Sequence, residues 1–289
     1  MIVSASYKTD IPAFYSAWFR NRLRAGFCRV RNPYGGKPFE VSLKPEDVDG
    51  YVFWTRNLSP FFNVLEEIDA DGVSFVVQLT VTGYGRELET ATLSAEQAMA
   101  QIEQVADRWG RRRPVWRYDP IVFSDLTPPD WHVANFKKLA EQLSGSVDEV
   151  VVSFLQPYRK TTRNLNAAAE AHGFIWEDPD SGRKKDLLEK LAEIGGTHGI
   201  RTTLCGQPDL IVEGVAEAAC IDADRLSDIA GRPIGAAAKP HRQTCRCAAS
   251  RDIGGYDTCP PGCTYCYAVS NRDRAKEYMA EHEPTAAAL

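Results

Sequence analysis

The chain has 289 residues, 44% of them hydrophobic, and a formal net charge of −5. That is enough to bury one large core or two small ones, and the acidic balance argues against a generic polyanion binder, although a local basic groove would survive the average. The opening "MIVSAS" turns polar too soon for a signal sequence, and no apolar run approaches the ~20 residues that cross a bilayer, so a cytoplasmic protein outside the membrane is expected.

In chain order, short runs rich in Val, Ile, Phe and Thr predict strands over Ile2–Ser6, Tyr51–Thr55, Ser74–Thr80, Pro114–Tyr118, Val150–Leu155 and Arg201–Cys205. Between them, Ala13–Ala25, Phe61–Ala70, Ala95–Trp109, Trp131–Leu143 and Lys184–Thr197 carry helical spacing long enough to cross back over a sheet. Alternation of this kind implies an α/β protein with a parallel sheet and right-handed crossovers. Polar clusters close almost every strand: "SASYKTD", "FWTRN", "TVTG", "WRYDP", "SFLQPY" and "CGQPD". A doubly wound sheet would gather such residues at one switch point, whereas a barrel spreads them over many strand ends. The expected fold is therefore a partial or open (β/α)6-type TIM-like barrel over 1–210. A cysteine-rich segment, 211–270, is expected to pack on its mouth as a lid, followed by a helix or frayed tail over 271–289. No glycine-rich nucleotide loop follows the first strand.

At the strand ends, Thr55, Gln78, Arg117, Tyr118 and Asp119 are candidates to line a substrate cavity, Arg117 suiting a bidentate carboxylate contact. A salt bridge bracing the rim explains the "WRYDP" residues equally well, and barrel packing competes for Gln78. Thr9 and Asp10 read as a helix cap. "RWGRRRP" reads as a solvated helix end rather than a nucleic-acid contact. Among the histidines, only His241 lies near the cysteines.

Cys28 stands alone and reads as a small buried residue, while the other seven cysteines fall between 205 and 266. In a reducing compartment such clustering favours metal ligation over disulfides. The loop "CPPGCTYC" supplies Cys259, Cys263 and Cys266, three ligands that leave a coordination position open for chemistry. Cys205, Cys220, Cys245 and Cys247 complete a separate four-thiolate shell. An auxiliary [4Fe–4S] cluster is the sharper reading of it, and a structural zinc the plainer one.

The spacing Cys259-x-x-x-Cys263-x-x-Cys266, with Tyr265 before the last cysteine, resembles the radical S-adenosylmethionine motif, and "YCYA" resembles spore photoproduct lyase-like members in particular. "SASYKTDIPAFYSAWF", "RNP", "VSLKPEDVDGYVFWTRN", "LTVTGYGRELE", "WRYDPI", "CID" and "SRDIGGYDTC" together resemble the domain of unknown function 1848 family over about residues 1 to 270. The first resemblance implies a [4Fe–4S] cluster on the three cysteines, with S-adenosylmethionine chelating its remaining iron and Tyr265 near the adenine. The implied reaction is reductive cleavage to a 5′-deoxyadenosyl radical and hydrogen abstraction from an unidentified substrate, a small molecule or peptide rather than nucleic acid. Its electron would come from a flavodoxin- or ferredoxin-type donor. Two departures stand out: Pro261 occupies a place where relatives often carry histidine, and the cysteines follow the sixth predicted strand rather than the first, like a permuted arrangement. The alternative is a zinc-binding barrel in which the cysteines are structural and the barrel binds a ligand or nucleic acid.

Overall fold

The computed structural model describes residues 1–31, 35–239 and 244–289, so His241 and the Asn32–Pro33 pair lie outside the described residues. Eight parallel strands form one sheet: β1 (Ile2–Ala5), β2 (Gly50–Thr55), β3 (Ser74–Thr80), β4 (Pro114–Ile121), β5 (Glu149–Phe154), β6 (Arg201–Leu204), β7 (Ala216–Glu217) and β8 (Ser250–Asp252). Their order across the sheet is β7-β6-β5-β4-β3-β2-β1-β8. From β1 to β7 neighbours in sequence are neighbours in space. The last strand comes round to lie beside the first, with Ile2 opposite Ser250 and Ser4 opposite Asp252. Among the described residues β7 and β8 do not pair, so the sheet is open at that seam.

All six strands read from the sequence are present. Both faces of the sheet are covered, which is why those strands show continuous apolar runs rather than alternation. Val3, Tyr51, Phe53, Phe75, Val77, Trp116, Val150 and Val152 pack beneath helices α1 (Ile11–Phe14), α2 (Ser16–Ala25), α3 (Phe62–Ala70), α4 (Ala95–Trp109), α5 (Pro129–Leu143) and α7 (Ser181–Thr197), while α6 (Arg159–His172) packs Leu165 in a separate cluster with Leu88, Val122 and Tyr265. The alternate residues Ile2, Val52, Val76, Val115 and Val151 face the other way, onto Ile221, Ile234, Ala248 and Leu226 of α8 (Ala223–Ala230). Leu226 packs so close that a Cβ on Gly50 would lie 2.9 Å from it. The cysteine-rich segment therefore divides. Its first part fills the inner face instead of lying across the strand ends as a lid, and only 253–270 runs along the C-terminal rim.

α9 (Arg272–Glu281) follows, and the tail is anchored rather than frayed. His282 stacks near Tyr278, Trp18 Nε1 donates to Ala286 O at 2.9 Å, and Leu289 is buried. Cys28 is buried within the hairpin Phe27–Val30/Phe39–Ser42, opposite Val41, as expected, and burial pushes its thiol up to about 12. No helix among the described residues is long and apolar enough to cross a membrane.

On the helix side, His132 of α5 is fully buried, with Nδ1 at 2.9 Å from Tyr118 Oη and Nε2 at 3.0 Å from Val122 O. Desolvation lowers its pKa to about 4 from an ordinary 6.5. A depressed histidine keeps its stabilising effect above the unfolded-state value and loses it as pH falls toward the folded one. Global stability is therefore expected to fall by about 3 kcal/mol between pH 6.5 and pH 4 from this group. Urea denaturation across that range checks it: the His132→Gln variant, less stable at pH 7, should show a flatter profile.

Candidate functional site

The two cysteine groups lie on different parts of the sheet, each placed by the strand that precedes it. β8 runs directly into the loop carrying Cys259, Cys263 and Cys266. Asp252 at its end accepts from Ser4 Oγ at 2.8 Å, Ser6 Oγ at 3.1 Å and Tyr7 N at 3.2 Å, and pairs with Lys8 at 3.3 Å. This locks "SRDIGG" onto "SASYK". Gly254 is needed for the approach, because a Cβ there would sit 2.0 Å from Ser6 Oγ and 2.6 Å from Ser6 Cβ. Gly254→Ala is expected to destabilise by about 1–3 kcal/mol, measured by denaturant unfolding, through overpacking at this contact. Thr9 Oγ1 donates to Gly255 O at 2.7 Å and Tyr15 Oη to Thr258 O at 2.7 Å, which continues the same seam up to Cys259.

The loop turns at Gly262, whose φ of +82° suits glycine and whose missing side chain admits Arg272 from α9. Arg272 Nε donates to Pro260 O at 3.0 Å. On its other side the loop forms an antiparallel bridge between Cys263 and Glu89, with Thr264 N donating to Leu88 O at 3.0 Å and Thr90 Oγ1 to Gly262 O at 3.1 Å. The segment after β3 thereby becomes a shelf for the thiols.

Glu89 is the residue the sequence did not single out. It is 3% exposed and accepts from Tyr265 Oη, from Thr82 Oγ1 at 2.5 Å and from Thr92 Oγ1 at 3.1 Å, while Arg56 Nη1 pairs with it at 2.8 Å. Arg56 Nη2 also donates to Tyr265 Oη. At the end of β2, Arg56 rather than the candidate Thr55 is thus the residue beside the thiols. Thr55 lies on the helix side, its Oγ1 accepting from Asn57 N at 2.9 Å. Asp10 caps α1 through Ala13 N at 3.0 Å, as its position suggested, and also accepts from Arg56 N at 2.8 Å. Burial pushes its carboxyl up to about 6.

All three cysteines are half-buried, and desolvation raises each thiol pKa, that of Cys263 to about 12. Groups that favour the thiolate oppose the rise: the backbone N–H of Asp10 at Cys259, the N–H groups of Ala268 and Val269 at Cys266, and the Arg56 guanidinium at Cys263. Lys160 in the first turn of α6 adds positive charge near Cys266.

The second group sits on the inner face. Cys205 Sγ and Cys220 Sγ are 3.4 Å apart, and Cys247 interacts with both Cys220 and Cys245. Arg117 Nη1 reaches Cys220 Sγ at 3.1 Å and Gln78 Oε1 at 3.2 Å, while Gln78 Nε2 donates to Cys220 O at 3.0 Å. The Cys205 and Cys247 thiols that donate to it, and then Arg117, hold Cys220 well below the usual thiol range. Arg117 also pairs with Asp119, whose other oxygen accepts from Ser153 Oγ. Gln78, Arg117 and Asp119 therefore share the inner face, and the salt bridge expected of the "WRYDP" residues is present between Arg117 and Asp119. Tyr118 is a correction: strand alternation sends it to the helix side, where it is fully buried against His132 and Asn135. In "RWGRRRP", Arg108, Arg112 and Arg113 are engaged by Glu66, by Asp148 and Asp228, and by Asp69.

Among the described residues no three or more His, Cys, Asp or Glu side chains already converge as a metal cage, so closing either thiol set requires side-chain rotation. The donor chemistry of the three-thiol loop nonetheless suits an iron–sulfur cluster: closely spaced thiols, amide N–H groups at the sulfurs and one coordination position without a protein ligand.

Comparison with known proteins adds a family and little else. The family described as "Domain of unknown function (DUF1848)" matches residues 2–268. No curated protein matches the chain. Among solved structures, a triazine hydrolase variant is similar at 12% identity and a TM-score of 0.32, covering 71% of this chain; the chain spans 45% of that structure's length.

Proposed function

The chain belongs to the DUF1848 family, and from that premise we propose that it is a radical S-adenosylmethionine-type iron–sulfur enzyme on an open (β/α) barrel, with Cys259, Cys263 and Cys266 as cluster ligands. The observation that carries this reading is the place of β8. Taken cyclically, the strands run β8-β1-β2-β3-β4-β5-β6-β7. The three-thiol loop then becomes the connection from the first strand to its helix, α9, whose Tyr278 and Met279 return to the helix-side core. That is the position the motif holds in the enzymes it resembles, and it resolves the departure noted in the sequence: the cysteines follow not the sixth strand but a short eighth one, next to β1.

A cluster held there supplies the electron for cleaving the sulfonium C–S bond of S-adenosylmethionine, opening hydrogen abstraction from an unreactive carbon. The chain's own residues prepare the place. The amides of Asp10, Ala268 and Val269 favour the thiolate form of Cys259 and Cys266, Arg56 does so for Cys263, and Glu89 with Arg56 fixes the Tyr265 ring beside them. Gln78, Arg117, Asp119 and Ser153 at the strand ends are polar groups positioned to orient a substrate. A flavodoxin- or ferredoxin-type protein is the expected electron donor, and the cytoplasm the expected setting.

Anaerobic reconstitution with iron and sulfide tests the reading. Absorption near about 400 nm with about four irons per chain, and 5′-deoxyadenosine on reduction with S-adenosylmethionine, are expected. Protein that stays colourless and holds zinc without iron overturns it and leaves the structural zinc-binding barrel.

A further inference from the structure

We propose that Cys205, Cys220, Cys245 and Cys247 bind a single structural zinc ion that closes the open seam of the sheet. The inference goes beyond the three-thiol reading and does not depend on it.

The placement of the four residues makes the case first. Cys205 ends β6, Cys220 follows β7, and Cys245 and Cys247 lie just ahead of β8. Cys220, Cys245 and Cys247 stand beside the two edges that the backbone ladder leaves unjoined, and Cys205 ends the strand paired with β7. Between the chain after β7 and the chain before β8, the described contacts include Ala248 N to Ile221 O at 2.9 Å and the exposed Arg246–Glu217 pair at 2.6 Å. An exposed ion pair contributes little. β8 is three residues long and carries the whole three-thiol loop, so its edge needs an anchor.

Spacing then selects the ion. Four sulfurs about 2.3 Å from a tetrahedral zinc are about 3.8 Å from one another, close to the 3.4 Å between Cys205 and Cys220. In a [4Fe–4S] cluster the thiolates lie outside four irons and are held well apart. Four protein ligands also leave no open position, the mark of a structural zinc site. The sulfurs have donors around them: Arg117 Nη1 at 3.1 Å from Cys220, Cys247 N at 3.4 Å from Cys245 and Ile221 N at 3.5 Å from Cys247. Such donors offset the double negative charge of a zinc tetrathiolate. Ile221, Leu226, Ile234 and Ala248 pack around the group on the inner face.

Elemental analysis of anaerobically purified protein tests this. About one zinc per chain is expected, lost for the most part in Cys220→Ser and kept in Cys259→Ser. Hydrogen exchange of the Ser250–Asp252 amides should accelerate in Cys220→Ser and in chelator-treated wild-type protein. If Cys220→Ser does not fold, Cys245→Ser, whose thiol is only half-buried, carries the same comparison. Absence of zinc, zinc unaffected by Cys220→Ser and Cys245→Ser, or about four irons that vanish with Cys220 but not with Cys259, overturns the proposal. Failure of the radical reading shows separately, in the iron and 5′-deoxyadenosine that depend on Cys259.

Discussion

Replacing Cys259 with alanine is expected to remove about four irons per reconstituted chain and to reduce 5′-deoxyadenosine formation to background. Cys259 is the thiol nearest the end of β8, reached through Thr258, whose hydroxyl lies 2.6 Å from Thr9 Oγ1 and whose carbonyl accepts from Tyr15 Oη. Those bonds come from the backbone and hydroxyl of its neighbour and survive the substitution, so circular dichroism and the unfolding midpoint without iron should stay close to wild type. Cleavage of S-adenosylmethionine that continues in this variant would sink the three-thiol assignment.

Substituting Glu89 with alanine should have the largest effect on stability, about 3–5 kcal/mol by urea denaturation. The Arg56 side chain is 14% exposed and its ion-pair partner 4%, so truncation strands a charge with little water to receive it. Tyr265 and Thr82 lose their acceptor at the same time. Glu89→Gln keeps the shape and most of the acceptor capacity and should cost markedly less. The two variants differ in a second readout: with the shelf under Cys263 loosened, Glu89→Ala should also bind less iron on reconstitution, whereas a purely structural role far from the thiols would leave iron unchanged in the folded fraction.

The strand-rich core was legible because parallel strands covered on both faces announce themselves as apolar runs, and Ala95–Trp109 could be read to its ends because Ser94 and Gln97 form a capping box before an apolar stripe. Among the elements that were not legible, three bear on the sites. α6 buries only Thr161 and Leu165, so "RKTTRNLNAAAEAH" lacks the periodic apolar face that signals a packed helix. α8 is eight residues long and lies between Cys220 and Cys245, in a segment read only through its cysteines. β8, "SRD", is polar because it sits at an edge and its side chains serve Ser4, Ser6 and Lys8 rather than a core. The thiols themselves were plain in the sequence, since ligand spacing is local. Glu89 was not, because its importance lies in partners 33 and 176 positions away, Arg56 and Tyr265. Tyr118 was misplaced by reading a cluster at a strand end as one surface, when alternation splits it between two.

The pairing of β8 with β1 joins residues 248 positions apart in the Ser4–Asp252 hydrogen bond. On the ribosome β1 must wait, one edge bare, until those 248 further positions have been made before its second neighbour exists. Contacts of such separation form late and slowly. The thiol loop can reach its shelf only after that wait, so metal delivery follows the pairing of β8 with β1.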